Sequence, residues 1–328
     1  MPVGIVGVGA HAPSRVIDND QISQWADIPK EWIAERTGVL TRRYAEPGTT
    51  TSELAARAVE RLFEGSPHHH REQVSLTVLA TSTPDQPQPA TAVRMQRLLH
   101  MHGTPAFDVN AVCSGFVYGL SVAHSMLSTD PSAGTALVVG ADMYSTIMDR
   151  SDRRTVSLFG DGAGAVLLGQ VPEGYGIHAT RLYAEGDGAD LVEVAAGGTR
   201  EVADEAARGA GRHYFRMQGR SVKEYALQII PKVVDDVLST AGWTADDLDR
   251  VFIHQGNARL VESVAAELGV DMAKVPLTAP EFGNTGAASI PFTLAHSQLE
   301  RPLRRGDKVL FATVGGGMTA GAAALTWY

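Results

Sequence analysis

The single cysteine of the chain, Cys113, sits in FDVNAVCSGFVYGL (Phe107–Leu120), where the apolar, strand-like piece Ala106–Val109 runs into a helical pattern. At such a handover the unpaired backbone N–H groups and the positive end of the helix dipole favour a thiolate. Small Ser114 and Gly115 leave room for a ligand beside the sulfur. The chemistry on offer is nucleophilic; the competing role of a lone cysteine is that of a small buried hydrophobe. His254 follows the apolar run Val251–Ile253 in HQGN, ahead of a helix that reaches Leu268. Asn284 lies in GNTGAASIP (Gly283–Pro291), which opens another helix. Taken singly, a histidine ending a strand is commonly structural, and Asn284 could be a turn residue.

The elements that must carry these residues follow from the apolar pattern. Gly4–Ala10 (GIVGVGA) reads as a buried strand ending in glycines. Its G-x-x-G-x-G spacing is not that of a dinucleotide fold, and Pro13 stands where the phosphate-binding helix would begin. In the helical stretch EWIAERTG, Trp32 and Arg36 share a face that could stack on and pair with a nucleotide phosphate, or form a solvated surface; Arg42 and Arg43 follow. Thr51–Leu62 has helical spacing with Ser52 as its candidate cap. Leu76–Ala80 is a strand, PDQPQP (Pro84–Pro89) imposes a turn or extended segment, and Ala92–Leu99 resumes a helix. His68–His70 lacks the spacing of a metal site and reads as exposed loop.

Ala136–Gly140 (ALVVG) has the continuous apolar character of a central parallel strand. The small residues of LFGDGAGAVLLG (Leu158–Gly169) suit tight backbone packing, and Ile177–Tyr183 adds a strand. Gly186–Arg212, rich in glycine and charge, reads as loops. Met217–Leu238 is a long helix that Pro231 should kink or interrupt. DKVLFATVGGGMTAGAAALTW forms two strands around the triple glycine Gly315–Gly317.

The 328 residues allow two domains or one large one, and 44% hydrophobic with 20% charged residues describe an ordinary globular protein. A formal net charge of -9 repels phosphate backbones and anionic membranes, which argues against nucleic acid and membrane partners. One cysteine makes no intrachain disulfide, and no signal peptide or bilayer-length apolar run is evident. The expected compartment is cytoplasmic.

An internal echo joins the pieces. Strand–Cys–helix in the first half matches strand–His–helix in the second, and ALVVGAD matches VLFATVGGG. Two similar halves, 1–172 and 173–328, would bring Cys113 and His254 to one pseudo-twofold junction. With AVCSG, HQGN, GNTGAASIP and the final GGG in order, the chain resembles the beta-ketoacyl-ACP synthase III family of the thiolase superfamily along its whole length. The blocks ATSTPDQPQP, FDVNAVCSG, SLFGDGAGAVLLG and GNTGAASIP resemble the branch that contains acetoacetyl-CoA synthase.

The resemblance implies an α/β, five-layered αβαβα sandwich of two pseudo-duplicated halves, assembled as a homodimer that needs no metal or redox cofactor. It implies decarboxylative Claisen condensation: an acyl-CoA primer loads Cys113, and a malonyl thioester loses carbon dioxide and extends it. His254 and Asn284 would donate N–H groups to the enolate oxygen. The backbone N–H groups of Cys113 and Gly316 would hold the second oxyanion, each such donor being worth ~3 kcal/mol. For coenzyme A it implies Trp32 over the adenine, Arg36 and Arg153 near the phosphates, Asn257 in the tunnel and Gly219 as a close-packed glycine.

Departures from the family pattern qualify the partners. Arg259 fits a basic docking rim for acyl carrier protein, but Glu224, Ala266 and Glu267 stand where lysines are expected, which favours malonyl-CoA as extender. Gln88 replaces a phenylalanine that reaches across the dimer into the acyl pocket of the other subunit. Two alternatives remain open: acyl transfer to an alcohol or amine, and a noncatalytic partner subunit. Asn284 cannot serve as the base the first requires, and the second has no need of Cys113.

Overall fold

The computed structural model describes residues 2–130 and 134–328. Its strands are β1 (Val3–His11), β2 (Arg15–Asp18), β3 (Thr41–Tyr44), β4 (Val74–Ala80), β5 (Ala106–Val109), β6 (Thr135–Met143), β7 (Asp161–Gln170), β8 (Gly176–Ala184), β9 (Val192–Val194), β10 (Phe215–Met217), β11 (Arg250–Ile253), β12 (Lys308–Gly315) and β13 (Thr319–Thr326). The α-helices are α1 (Asn19–Ala26), α2 (Lys30–Thr37), α3 (Thr51–Gly65), α4 (Thr91–Leu98), α5 (Gly115–Thr129), α6 (Glu205–Gly209), α7 (Gly219–Ala241), α8 (Ala258–Glu267), α9 (Ala279–Phe282) and α10 (Ser289–Glu300).

Two sheets carry the molecule, one in the order β1-β7-β6-β4-β5 and the other β11-β12-β13-β8. The central strands are apolar on both faces because each sheet is covered on both sides. Helices α5 and α10 pack between the sheets, α3 and α4 cover the outside of the first, and α7 and α8 cover the second. Alternating helix and sheet layers make a five-layered αβαβα sandwich. The middle core joins Val78, Phe116, Leu120, Val138, Ile290, Leu294, Phe311 and Leu325, all nearly excluded from solvent. Burying each such side chain contributes about 1.5–3 kcal/mol relative to leaving it exposed.

Close backbone approach explains the glycines of β6 and β7. A Cβ on Gly140 would lie 2.3 Å from the Ala287 carbonyl oxygen, and one on Gly164 would lie 2.3 Å from the Phe292 nitrogen. Only glycine lets the segment around α10 settle directly on the sheet. The small-residue run therefore works through the layer packing that its composition suggests.

Strand pairing revises the internal echo. Strand β4 is parallel to β6 as β11 is to β12, so β11 takes the place of β4. The middle-layer counterpart of α5 is α10, and the residue matched to Cys113 ahead of a central helix is Asn284 rather than His254. Other boundaries also move. Thr50, not Ser52, caps α3: its hydroxyl accepts from Glu53 N at 3.3 Å, and Glu53 Oε2 accepts from Thr50 N at 2.7 Å. Ser52 instead donates to Asp85 through its hydroxyl at 2.6 Å. Helix α7 continues through Pro231 without ending. Gly186–Arg212 is not all loop, since β9 within it pairs antiparallel with β10. His68–His70 belongs to no arrangement of three or more metal-ligating side chains among the described residues.

Candidate active site

Cys113 stands in a 3-10 turn, Val112–Ser114, between β5 and α5. Val112 has φ +48°, a left-handed conformation costly for a β-branched residue, and the strain sits directly before the nucleophile. The turn is held from β12 and β13: Thr313 Oγ1 donates to the Cys113 carbonyl at 3.2 Å, and Thr319 Oγ1 donates to the Ala111 carbonyl at 3.0 Å. A Cβ on Gly315 would lie 2.7 Å from Ser114 N, so a bare backbone is needed there. Gly316, next in that chain, faces the same cavity as Cys113.

His254 is buried at the end of β11, and its Nδ1 lies 2.7 Å from Ser289 Oγ. Desolvation lowers its pKa to about 4, so the imidazole is neutral at ordinary pH. Asn284 is buried too, pinned by its own N–H to the Leu158 carbonyl at 2.8 Å and by Gly160 N–H to its carbonyl at 3.0 Å. Its Oδ1 accepts from Gly286 N at 2.9 Å, which turns the Nδ2 donors toward the cavity. Cys113, His254, Asn284 and Gly316 all line one cavity of about 370 Å³. It presents a thiol and neutral donors without a carboxylate base among its lining residues.

This geometry coincides with clear relationships to known proteins. Residues 107–186 match the model of 3-oxoacyl-[acyl-carrier-protein (ACP)] synthase III, and residues 238–327 match its C-terminal model. The chain is 41% identical over 326 residues to acetoacetyl CoA synthase NphT7 of Streptomyces sp. (strain CL190), covering 98% of each. It is also 41% identical to beta-ketoacyl-[acyl-carrier-protein] synthase III of Rhodospirillum centenum, again over 98% of each chain. The chain belongs to the 3-oxoacyl-ACP synthase III family. The solved structure of the Pseudomonas aeruginosa PAO1 synthase III superposes with a TM-score of 0.91 at 36% identity, over 100% of this chain and 98% of that one. The chain is thus an acyl-transferring condensing enzyme of thiolase-like fold.

Around the reacting groups, the cavity brings together Trp32, Arg36, Gly219, Asn257 and Arg259. Gly38, at φ +69°, ends α2 with its would-be Cβ 2.6 Å from Ala258 Cβ, so α2 presses against α8 and presents Trp32 and Arg36 at the mouth. Asn257 also caps α8, accepting from Leu260 N at 2.8 Å. Arg154 lines the cavity while its neighbour Arg153 lies outside that lining; the Asp152 carboxylate accepts from Arg154 N at 3.1 Å within this turn. Gly219 lines the cavity at the start of α7, its would-be Cβ 3.7 Å from Met217 Cε. Gln88 is exposed on the 84–89 segment, away from the cavity lining.

The thiol also departs from expectation. Helix α5 begins two residues beyond it, and burial followed by the Asp142 charge pushes Cys113 up to about 12. The Tyr144 hydroxyl, 3.0 Å from Ser82 Oγ, offsets part of that through a hydrogen bond to the sulfur. Asp142 is fully buried and ties the segment after β4 to the turn before α10, accepting from Ser82 N at 2.8 Å and from Ala287 N at 2.7 Å.

Sequence reasoning missed Asp142, Tyr144, Arg154, Lys223 and Ser289. It also missed the aromatic wall in which Tyr144 stacks on Phe159 at 4.3 Å and Phe215 meets both edge-on at 5.4 and 5.0 Å. The signal in ALVVGADMY was the charge ending a buried strand. The aromatic wall had none, because Phe215 comes from β10.

Proposed function

We propose that the protein condenses an acetyl group from acetyl-CoA with malonyl-CoA, giving acetoacetyl-CoA. The observation that carries the small primer is the wall of Tyr144, Phe159 and Phe215 beside Cys113, with Phe159 and Phe215 lining the cavity itself. The rings stack and meet edge-on, with Met148 and Leu158 in the same apolar cluster, an arrangement that suits a short acyl group. The name of the acetoacetyl CoA synthase relative agrees with this reading.

The steps follow from the donor set. Cys113 Sγ attacks the acetyl thioester, CoA leaves as its thiol, and an acetyl-cysteine remains. Malonyl-CoA loses carbon dioxide, and its carbonyl oxygen, now bearing the enolate charge, accepts from His254 Nε2–H and Asn284 Nδ2–H. The carbanion attacks the acetyl carbonyl, whose oxyanion is held by the N–H groups of Cys113 and Gly316. Collapse expels the cysteine sulfur and releases acetoacetyl-CoA. The thioester carbonyl takes up the electron pair, so the steps call for no separate cofactor.

The rim supports CoA over carrier protein as the extender's bearer. Arg259 is engaged by Glu262 at 3.0 Å and by the Glu35 carbonyl at 3.2 Å, while Arg220 pairs with Glu224 at 3.0 Å. Those contacts leave less free positive charge for an acidic protein partner. Arg36, Arg154 and Lys223 line the cavity and can meet CoA phosphates. The same proposal takes 1–172 and 173–328 as duplicated halves and the active unit as a homodimer, supported by the uncovered sheet edge at β5. Gln88, on the exposed 84–89 loop, is then available to a partner subunit's acyl pocket. Incubation with acetyl-CoA and malonyl-CoA tests the function: acetoacetyl-CoA and carbon dioxide in equal amounts are expected, and their absence would defeat it.

A further inference from the structure

We propose that Ser289 is the positioning residue that sets the tautomer of His254, its hydroxyl donating to Nδ1 so that the ring proton resides on Nε2. The inference deepens the condensing function and rests on that reading. Ser289 opens α10, is 1% exposed, and holds its Oγ 2.7 Å from His254 Nδ1. The other partner of that Oγ among the described residues is Gln255 N, at 3.4 Å. A backbone N–H can only donate, so it occupies a lone pair on the hydroxyl and leaves the hydroxyl hydrogen for Nδ1.

The reverse arrangement, with Nδ1 protonated, would direct two donors at one oxygen and leave a buried hydroxyl hydrogen without an acceptor. It would also leave Nε2 as a lone pair facing the place where enolate charge develops. With Ser289 as donor, the neutral ring presents N–H there instead. The serine is held in place by its helix: Thr293 Oγ1 donates to the Ser289 carbonyl at 2.7 Å and in turn meets Thr278 Oγ1 at 2.6 Å. No carboxylate is among the hydrogen-bond partners of the ring in the described residues. The device therefore fixes the proton without raising the basicity of an imidazole that burial keeps neutral.

The test combines a spectroscopic and a kinetic readout on the full-length protein labelled with ¹⁵N-histidine, using His254→Gln to assign the ring signals. In the wild type, Nε2 should resonate as a protonated pyrrole-type nitrogen and Nδ1 as an unprotonated pyridine-type one. In Ser289→Ala the two signals should move toward each other as the tautomers mix. Carbon dioxide release from malonyl-CoA should fall about tenfold or more, a fraction of the ~10²–10³ lost with a whole oxyanion donor. Acetylation of Cys113 by acetyl-CoA, read by intact mass, should stay within about twofold, certifying a folded site, and Ser289→Thr should recover the wild-type signals.

A wild-type Nδ1 carrying the proton would overturn the proposal. So would an unchanged Ser289→Ala tautomer with unchanged decarboxylation, or loss of acetylation and decarboxylation together with the tautomer intact. Failure of the wild type itself to decarboxylate malonyl-CoA, with Nε2 protonated, would defeat the condensing reading while leaving the tautomer assignment standing.

Discussion

At Cys113 the thiol is the resting form, because burial and the neighbouring Asp142 push its pKa up to about 12. Alkylation of the free enzyme by iodoacetamide should therefore keep accelerating up to pH 10, whereas a plateau below pH 8 would show a thiolate already formed. His254→Ala and Asn284→Ala should each lower carbon dioxide release by ~10²–10³ while leaving acetylation of Cys113 measurable, since both donors act on the extender's oxygen. His11 offers a separate test of burial. Desolvation first, then Arg57 and Arg61, lowers it to about 4, and its Nε2 has no hydrogen-bond partner among the described residues. As pH falls from 6.5 toward 4 the unfolded chain takes up a proton that folded His11 refuses, so this contribution to stability is lost on acidification. His11→Asn should narrow the drop in urea midpoint between pH 7 and pH 5; an unchanged drop would contradict the assignment. Cys113, His254 and Asn284 were legible because each stands in a distinctive motif. Ser289 was not, since a serine one turn beyond Asn284 gains meaning only when β11 and α10 meet.

At the scale of elements, the pressure of α10 on the first sheet is what holds Asn284 in place. Gly164→Ala would put a methyl 2.3 Å from the Phe292 nitrogen, and backbone cannot yield as a flexible side chain would. That substitution should destabilise the fold by about 1–3 kcal/mol, read by chemical denaturation. Unchanged stability would show that the layers tolerate separation. Strands such as β6 and β11 could be read from the sequence because their apolar runs reflect burial on both faces. Strand β9 could not, because its three residues are defined by pairing with β10 across the glycine- and charge-rich positions 195–214. Helix α7 passing through Pro231 shows the same limit, with local preference overridden by Ile230, Val233, Val234 and Val237 packed in the outer core. The echo of Cys113 with His254 pointed to one site, but only pairing order revealed α10 as the true counterpart of α5.

The whole molecule presents an open sheet edge at β5 and a cavity mouth whose cations are partly claimed by neighbouring carboxylates. Sedimentation should give twice the 34.8 kDa chain mass if the proposed homodimer forms, and a species of chain mass would contradict it. Glu224→Lys together with Glu267→Lys should speed extension by malonyl-carrier protein at low salt and leave the KM for malonyl-CoA unchanged. The family and the five-layered architecture were legible in the order of the motifs, whereas rim charge pairing needed the side chains in place. The central claim, that an acetyl group parked on Cys113 is extended by malonyl-CoA, is tested most directly by intact-protein mass spectrometry. The protein is exposed to acetyl-CoA, and then to malonyl-CoA. An acetyl adduct that is absent from Cys113→Ala, and is discharged by malonyl-CoA as acetoacetyl-CoA forms, is the predicted result. An adduct that malonyl-CoA leaves untouched would contradict the account.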